Sequence, residues 1–197
     1  MPFKIAITGG IASGKSTIAR YLQEKKYPII DTDQISRQLV QAKSPGLQAL
    51  TQRFSRAILT VDDQLDRAKL GQIVFNDPEA LQDLNAILHP LIKDEMLGQI
   101  QVSTSSIVFV EVPLLFEVGW QELFDQVWLA YCSLDQQLER LMKRDHLDCQ
   151  QALKRIGSQM SLASKGSLAD VIIDTSGSLD DLYQQVDLAL QDLENKL

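Results

Sequence analysis

Residues Gly9-Gly10-Ile11-Ala12-Ser13-Gly14-Lys15-Ser16 match G-x-x-x-x-G-K-[ST] at every fixed position, directly behind the apolar run Phe3–Thr8. A chain with this stretch is constrained to a strand, a tight glycine-rich turn and a helix, in that order. The flanking sequence agrees. Phe3-Lys4-Ile5-Ala6-Ile7-Thr8 has the apolar, β-branched character of a strand, and Lys15–Lys25 places Ile18, Ala19 and Leu22 at helical spacing.

These residue types suit phosphate binding. Glycine lets the backbone turn through positive φ and brings N–H groups close to an anion. The helix that begins near Gly14 directs its positive end at the same point. Lys15 supplies a mobile cation for β and γ phosphates, and the Ser16 hydroxyl is placed to ligate Mg²⁺. Gly10, Ile11, Ala12, Ser13, Gly14, Lys15, Ser16 and Thr17 are therefore the expected ATP-binding stretch. The plainer alternative is a glycine-rich strand-to-helix turn that holds nothing.

Composition narrows the class. At 197 residues, 45% hydrophobic and 23% charged, the chain suits one globular domain with sizeable inserts. No run approaches the length of a membrane span, and the N-terminus enters its first strand without a secretory pattern. Cys132 and Cys149 have neither metal-site spacing nor a disulfide framework, so a reduced, cytoplasmic setting is expected. A net charge of −7 argues against non-specific nucleic-acid binding. Against that acidity, Arg140, Lys143, Arg144, Lys154 and Arg155 fall within sixteen residues. They read either as an anion site or as a solvated helix face.

Further strands are expected at Tyr27–Ile30, Ile107–Val110, Gln126–Tyr131 and Asp170–Ile173. Near-continuous Val, Ile and Leu alternating with helices indicates a parallel α/β sheet covered on both faces. A strand–helix–strand crossover takes about 30 residues, yet roughly seventy-five separate Asp31 from Ile107. The surplus reads as helices over Pro45–Phe54, Asp66–Phe75 and Pro78–Ile100, with Pro90 expected to kink or break the last. Helices near Asp135–Arg144 and Asp148–Gln159 carry the basic cluster, and Ser161–Ser167 is expected to be a mobile return. Such a pair could close on a polyphosphate and exclude water.

Several side chains could carry chemistry. Asp31 and Asp33 end the second strand, and Asp33 suits the task of orienting or deprotonating an acceptor hydroxyl, or of capping the following helix. Glu111 ends the third strand, where P-loop proteins often carry the acid that helps hold Mg²⁺; a solvated carboxylate is the alternative. His89 is either an acceptor contact or a packed structural histidine. Arg67 either binds an anion or pairs with an acid such as Asp66. Cys132 reads as core, and the Trp120 and Trp128 rings as core or rim first and ligand contacts second.

Together these pieces resemble the dephospho-CoA kinase family. The resemblance runs through Ile7-Thr8-Gly9-Gly10-Ile11, Asp31-Thr32-Asp33, Leu65-Asp66-Arg67, Leu84-Asn85 with His89-Pro90, and Val112-Pro113-Leu114-Leu115-Phe116-Glu117. It continues through Gln137, Arg140-Leu141, Arg144-Asp145, Arg155-Ile156, Gln159 and Ala169-Asp170. It implies a P-loop kinase fold with a five-stranded parallel sheet. The core would be residues 1–31, 105–132 and 169–197, the helical CoA-binding insert 32–104, and the lid 133–168. It also implies ATP and Mg²⁺, with Asp33, Lys15 and Arg140 catalytic, Arg144 on the nucleotide, and Ser16 and Glu111 at the metal. Asp33, Arg67, His89 and Glu117 would meet the acceptor. Ala12 stands where the family often has Gly, tolerable unless that position needs positive φ, and Thr175 stands where it often has Asn.

The expected reaction is phosphorylation of the ribose 3′-hydroxyl of 3′-dephospho-CoA, an alcohol acceptor, giving CoA and ADP. Partners are expected to be small molecules, without nucleic acid or membrane, and the chain a monomer or weak homo-oligomer. One rival is a kinase of the same fold acting on a nucleoside monophosphate or sugar acid. The other is a nucleotide switch: Asp174-Thr175-Ser176-Gly177 fits D-x-x-G, but it follows the last strand and no N-K-x-D tetrad accompanies it.

Overall fold

The computed structural model describes residues 1–196. The chain resolves into two compact units, one formed by Met1–Ile30 together with the chain from Ser103 onward, the other by Asp31–Val102.

The first unit is built on a five-stranded sheet in the order β2-β3-β1-β4-β5. Its strands are β1 (Phe3–Gly9), β2 (Ile29–Asp31), β3 (Ile107–Glu111), β4 (Gln126–Tyr131) and β5 (Val171–Asp174). β1 lies between β3 and β4 and pairs with both in parallel, Ile7 opposite Glu111 on one side and Trp128 on the other. β5 pairs in parallel with β4, Tyr131 opposite Asp174. This register brings the carboxyl ends of β1, β3, β4 and β5 to one edge, where ligands bind in open parallel sheets.

Both faces of the sheet are covered, which explains the unbroken apolar runs in its strands. On one face Ile5, Ile7, Phe109 and Trp128 pack with Ile18 and Leu22 of α1 (Lys15–Glu24) and with Leu182 and Val186 of α9 (Leu179–Glu194). On the other, Leu129 and Cys132 pack with Leu162 of α8 (Leu162–Gly166). Each fully buried aliphatic side chain contributes about 1.5–3 kcal/mol. Trp128 is fully buried, as expected of a core residue.

Two further helices, α6 (Leu134–Asp145) and α7 (Cys149–Gly157), begin with capping boxes set by Ser133 and Asp148. The Ser161–Ser167 segment, expected to be mobile, is instead the short helix α8. The Ser161 hydroxyl caps it by accepting from Ser164 N, and Lys165 anchors it at 0% exposure.

The second unit is helical: α2 (Thr32–Leu39), α3 (Pro45–Phe54), α4 (Arg67–Asn76) and α5 (Pro78–Val102). α5 contacts each of the other three, around a core that includes Val40, Leu50, Phe54 and Leu70. Asp77 caps α5 by accepting from Glu79 N and Ala80 N. Of the kink or break expected at Pro90, the break is corrected: α5 runs through the proline as one helix. Proline there removes one ladder donor, but apolar packing of α5 against its neighbours outweighs that local cost.

Candidate active site

The loop after β1 is held in shape by residues far along the chain. Gly14 caps α1 with φ +95°, and no side chain among the described residues caps that helix end. A Cβ at Gly14 would be strained at this φ and would stand 3.0 Å from Thr175 Cγ2, so glycine is required twice over. Ala12 has φ +59°, so the position does demand the left-handed region, and this chain meets the demand with alanine. An L-residue there costs roughly 1–2 kcal/mol.

Lys15 Nζ folds back over its own loop, donating to Gly10 O at 3.0 Å and Gly9 O at 3.3 Å. Ser13 is buried, and its hydroxyl has no hydrogen-bond partner among the described residues. Ser16, in the first turn of α1, is exposed, and Thr17 N donates to Gly14 O at 3.0 Å. An ammonium, a helix end without a side-chain cap and an unsatisfied buried hydroxyl form a donor set suited to a polyphosphate.

Thr175 joins this loop to α6. Its N–H donates to Tyr131 O at 2.8 Å and its hydroxyl to Ser13 O at 2.8 Å, the nearer of two carbonyls. The same Oγ1 accepts from Arg140 Nη1 at 3.0 Å, and Arg140 Nη2 donates to Thr175 O. Arg140 and Arg144 sit one turn apart on α6 but engage different partners. Arg144 pairs with Asp145 at 2.8 Å, and Arg155 of α7 pairs with the same carboxylate at 2.8 Å. Arg144 beside it is the main reason the Asp145 carboxyl is held below its usual range. The basic cluster is thus internally compensated in part. Cys132 lies in the core, and burial pushes its thiol up.

Glu111 is the last residue of β3, half-buried and opposite Ile7. Glu117, in the loop beyond it, meets a partner the sequence did not suggest. Lys165 Nζ lies 2.9 Å from Glu117 Oε1 and donates to Pro113 O at 3.0 Å, while Met160 N donates to the same Oε1 at 2.9 Å. The only hint in the sequence was a lone lysine in a small, polar stretch.

The remaining candidates belong to the helical unit. Asp31, not Asp33, caps α2: its Oδ1 accepts from Asp33 N at 2.8 Å and Gln34 N at 3.1 Å. Asp33 sits exposed in the first turn of α2, outside the capping role. Asp66 likewise caps α4 through Lys69 N at 3.0 Å. Arg67 stands at a cavity of about 240 Å³ lined by Val40, Leu50, Leu70, Val74 and Leu88 among others. The cavity is apolar with a guanidinium beside it. His89 is half-buried on α5, and burial holds its imidazole below the usual range. Among the described residues no cluster of three or more His, Cys, Asp or Glu could hold a metal by itself, and no helix is long and apolar enough to cross a membrane.

Comparison with known proteins adds the chemistry that geometry leaves open. A family model described as dephospho-CoA kinase matches residues 3–181. The dephospho-CoA kinase of Trichormus variabilis is 44% identical over 187 residues, covering 94% of this chain and 95% of that one. That of Carboxydothermus hydrogenoformans is 45% identical over 190 residues, covering 95% and 92%. Among solved structures, a dephospho-CoA kinase from Campylobacter jejuni aligns over 100% of both chains with a TM-score of 0.75 and 31% identity.

Proposed function

The chain belongs to the dephospho-CoA kinase family, and from that premise we propose that it transfers the γ-phosphate of ATP to the ribose 3′-hydroxyl of 3′-dephospho-CoA, through the residues described above. What carries the reading is a formed P-loop, with Lys15 folded onto it, in a chain that matches the family over nearly its whole length.

Phosphoryl transfer asks a protein mainly for positioning and charge compensation. The backbone from Gly10 to Thr17, the Lys15 ammonium and the N-terminus of α1 would hold the β and γ phosphates. Ser16 and Glu111 would hold Mg²⁺ or its waters, and the ion supplies charge neutralisation at the phosphate oxygens. Mg²⁺ keeps several waters and takes few protein ligands, which suits a site without a dedicated acidic cage.

Asp33 would accept a hydrogen bond from the ribose hydroxyl and take its proton as the oxygen attacks. Its exposed position in the first turn of α2 supports this, since Asp31 supplies the carboxylate that caps the helix. Arg140 would compensate charge on the transferring group as residues 133–168 close, and Arg144 would follow by exchanging Asp145 for a phosphate oxygen. On the acceptor side, the apolar cavity in the helical unit would take an uncharged part of dephospho-CoA, with Arg67 on one of its phosphates and His89 beside it. Both contacts to Glu117 fall on Oε1, so Oε2 would be the oxygen that meets the acceptor. The free thiols Cys132 and Cys149 support a reduced, cytoplasmic setting.

The test is ADP release with dephospho-CoA against nucleoside monophosphates and sugar acids. Dephospho-CoA should give turnover orders of magnitude above the rest. Preference for another acceptor would assign the chain a different substrate, and slow hydrolysis without an acceptor would point to a switch.

A further inference from the structure

One residue in the phosphate loop has both of its backbone polar groups held by side chains. Ile11 O accepts from Gln137 Nε2 at 2.7 Å, and Ile11 N donates to Gln159 Oε1 at 2.8 Å. The backbone group types settle both amide orientations: a carbonyl can only accept, so Gln137 presents its nitrogen; an N–H can only donate, so Gln159 presents its oxygen.

The two glutamines come from different elements. Gln137 is buried on α6, three residues before Arg140, and Gln159 follows the end of α7. The residue after Gln159 is itself tied down, since Met160 N donates to Glu117. Gln137 also presses on the loop from outside: a Cβ on Gly10 would collide with its Nε2. Two residues further along the loop, Thr175 holds the Ser13 carbonyl. The loop is thereby tied both to residues 137–159 and to the end of β5.

We propose that Gln137 and Gln159 are positioning residues for the phosphate loop: they touch no substrate but set its backbone, one as obligatory donor and the other as obligatory acceptor. The consequence is that nucleotide affinity depends on where residues 133–168 sit. This rests on the reading that the loop binds nucleotide phosphates.

Opposite polarity makes the proposal testable with one substitution at two places. Glutamate retains an acceptor but lacks the amide donor. Gln159→Glu should therefore keep the bond from Ile11 N, whereas Gln137→Glu sets a carboxylate against the Ile11 carbonyl. Gln137→Met and Gln159→Met remove each bond without adding charge. The readouts are ADP affinity by titration calorimetry in 0.3 M salt, which screens added surface charge, KM for both substrates, and the thermal midpoint. A neutral hydrogen bond corresponds to roughly three- to tenfold in an equilibrium constant. Expected ADP affinity falls about fivefold in each Met variant, stays within about twofold in Gln159→Glu, and falls more than about tenfold in Gln137→Glu. KM for dephospho-CoA should stay within about twofold throughout. Equal losses in the two Glu variants would overturn the positioning role, as would unchanged ADP affinity in both Met variants. Wild-type protein that binds no ADP would instead remove the nucleotide reading, and the proposal with it.

Discussion

Arg140 holds Thr175 at two points, its hydroxyl through Nη1 at 3.0 Å and its carbonyl through Nη2, while the same hydroxyl reaches Ser13 O at 2.8 Å. A guanidinium on α6 and the phosphate loop therefore share one small side chain. Thr175→Val keeps the shape and removes the hydroxyl, leaving a buried carbonyl and a guanidinium N–H short of a partner. The cost of such orphaned groups is about 1–3 kcal/mol. Unfolding in urea should show that loss, accompanied by a raised KM for ATP, and Thr175→Ser should restore most of both. A Val variant as stable as wild type would show that the hydroxyl is not holding the loop.

Asp33 lies outside the α2 cap, so removing its charge should leave the helix intact. For Asp33→Asn we expect kcat to fall by about 10²–10⁴, the range for a positioned general base, with ATP affinity little changed. Isothermal titration and steady-state kinetics on one preparation decide the matter. Unaltered turnover would take Asp33 out of the reaction.

Ala12 pays a conformational cost that glycine would not. Ala12→Gly should raise stability by about 0.5–1 kcal/mol, the relief of a left-handed Cβ less the extra chain entropy of glycine. Ala12→Val should lower it by more than about 1 kcal/mol, since a β-branched residue tolerates positive φ least. Both are read from urea midpoints, and a destabilising glycine would contradict the assignment.

Burial alone holds the His89 imidazole below its ordinary value. The unfolded chain takes up its proton near pH 6.5, so below that point the unfolded state binds more protons than the folded one. Stability is then complete above about pH 6.5 and declines as pH falls through the lowered folded value. Thermal midpoints between about pH 7.5 and 5 should therefore drop less steeply in His89→Gln than in wild type. Parallel slopes would mean His89 titrates normally.

Lys165 is completely buried, and the side chain of Glu117, its partner at 2.9 Å, is 22% exposed. Removing one member of a buried pair strands the other, at about 3–5 kcal/mol in full burial. Because water still reaches Glu117, we expect Lys165→Met to cost about 2–3 kcal/mol in denaturant unfolding. The double variant with Glu117→Gln should recover part of that, and strict additivity would argue against direct coupling.

What the sequence made legible was local. The strands and most helices follow from apolar runs and period, and the P-loop from spacing alone. Pro90 marks where a local rule met a stronger tertiary term, because the chain packed around α5 cannot be read from the residues beside the proline. Lys165 was hidden for the same reason: its partner Glu117 is forty-eight positions away, and the intervening small residues look unstructured. Spacing also could not decide which of Asp31 and Asp33 caps α2, nor that Ala12 takes positive φ, since both depend on backbone conformation. Gln137 and Gln159 stood out only as pieces of a pattern. Their work on Ile11 is visible once α6 and the end of α7 are in place.

β1 precedes the other described strands in the chain, yet its two neighbours in the sheet begin only at Ile107 and Gln126. At translation speeds of about 5–20 residues per second, Ile5, Ala6 and Ile7 wait on the order of five to twenty seconds before either flank can be covered. Closing such distant pairs is slow even afterwards, because sequence separation must be overcome before contact rewards it. The nascent chain thus keeps both edges of its central strand unpaired through half of synthesis, with only the helix that follows it at hand to cover one face.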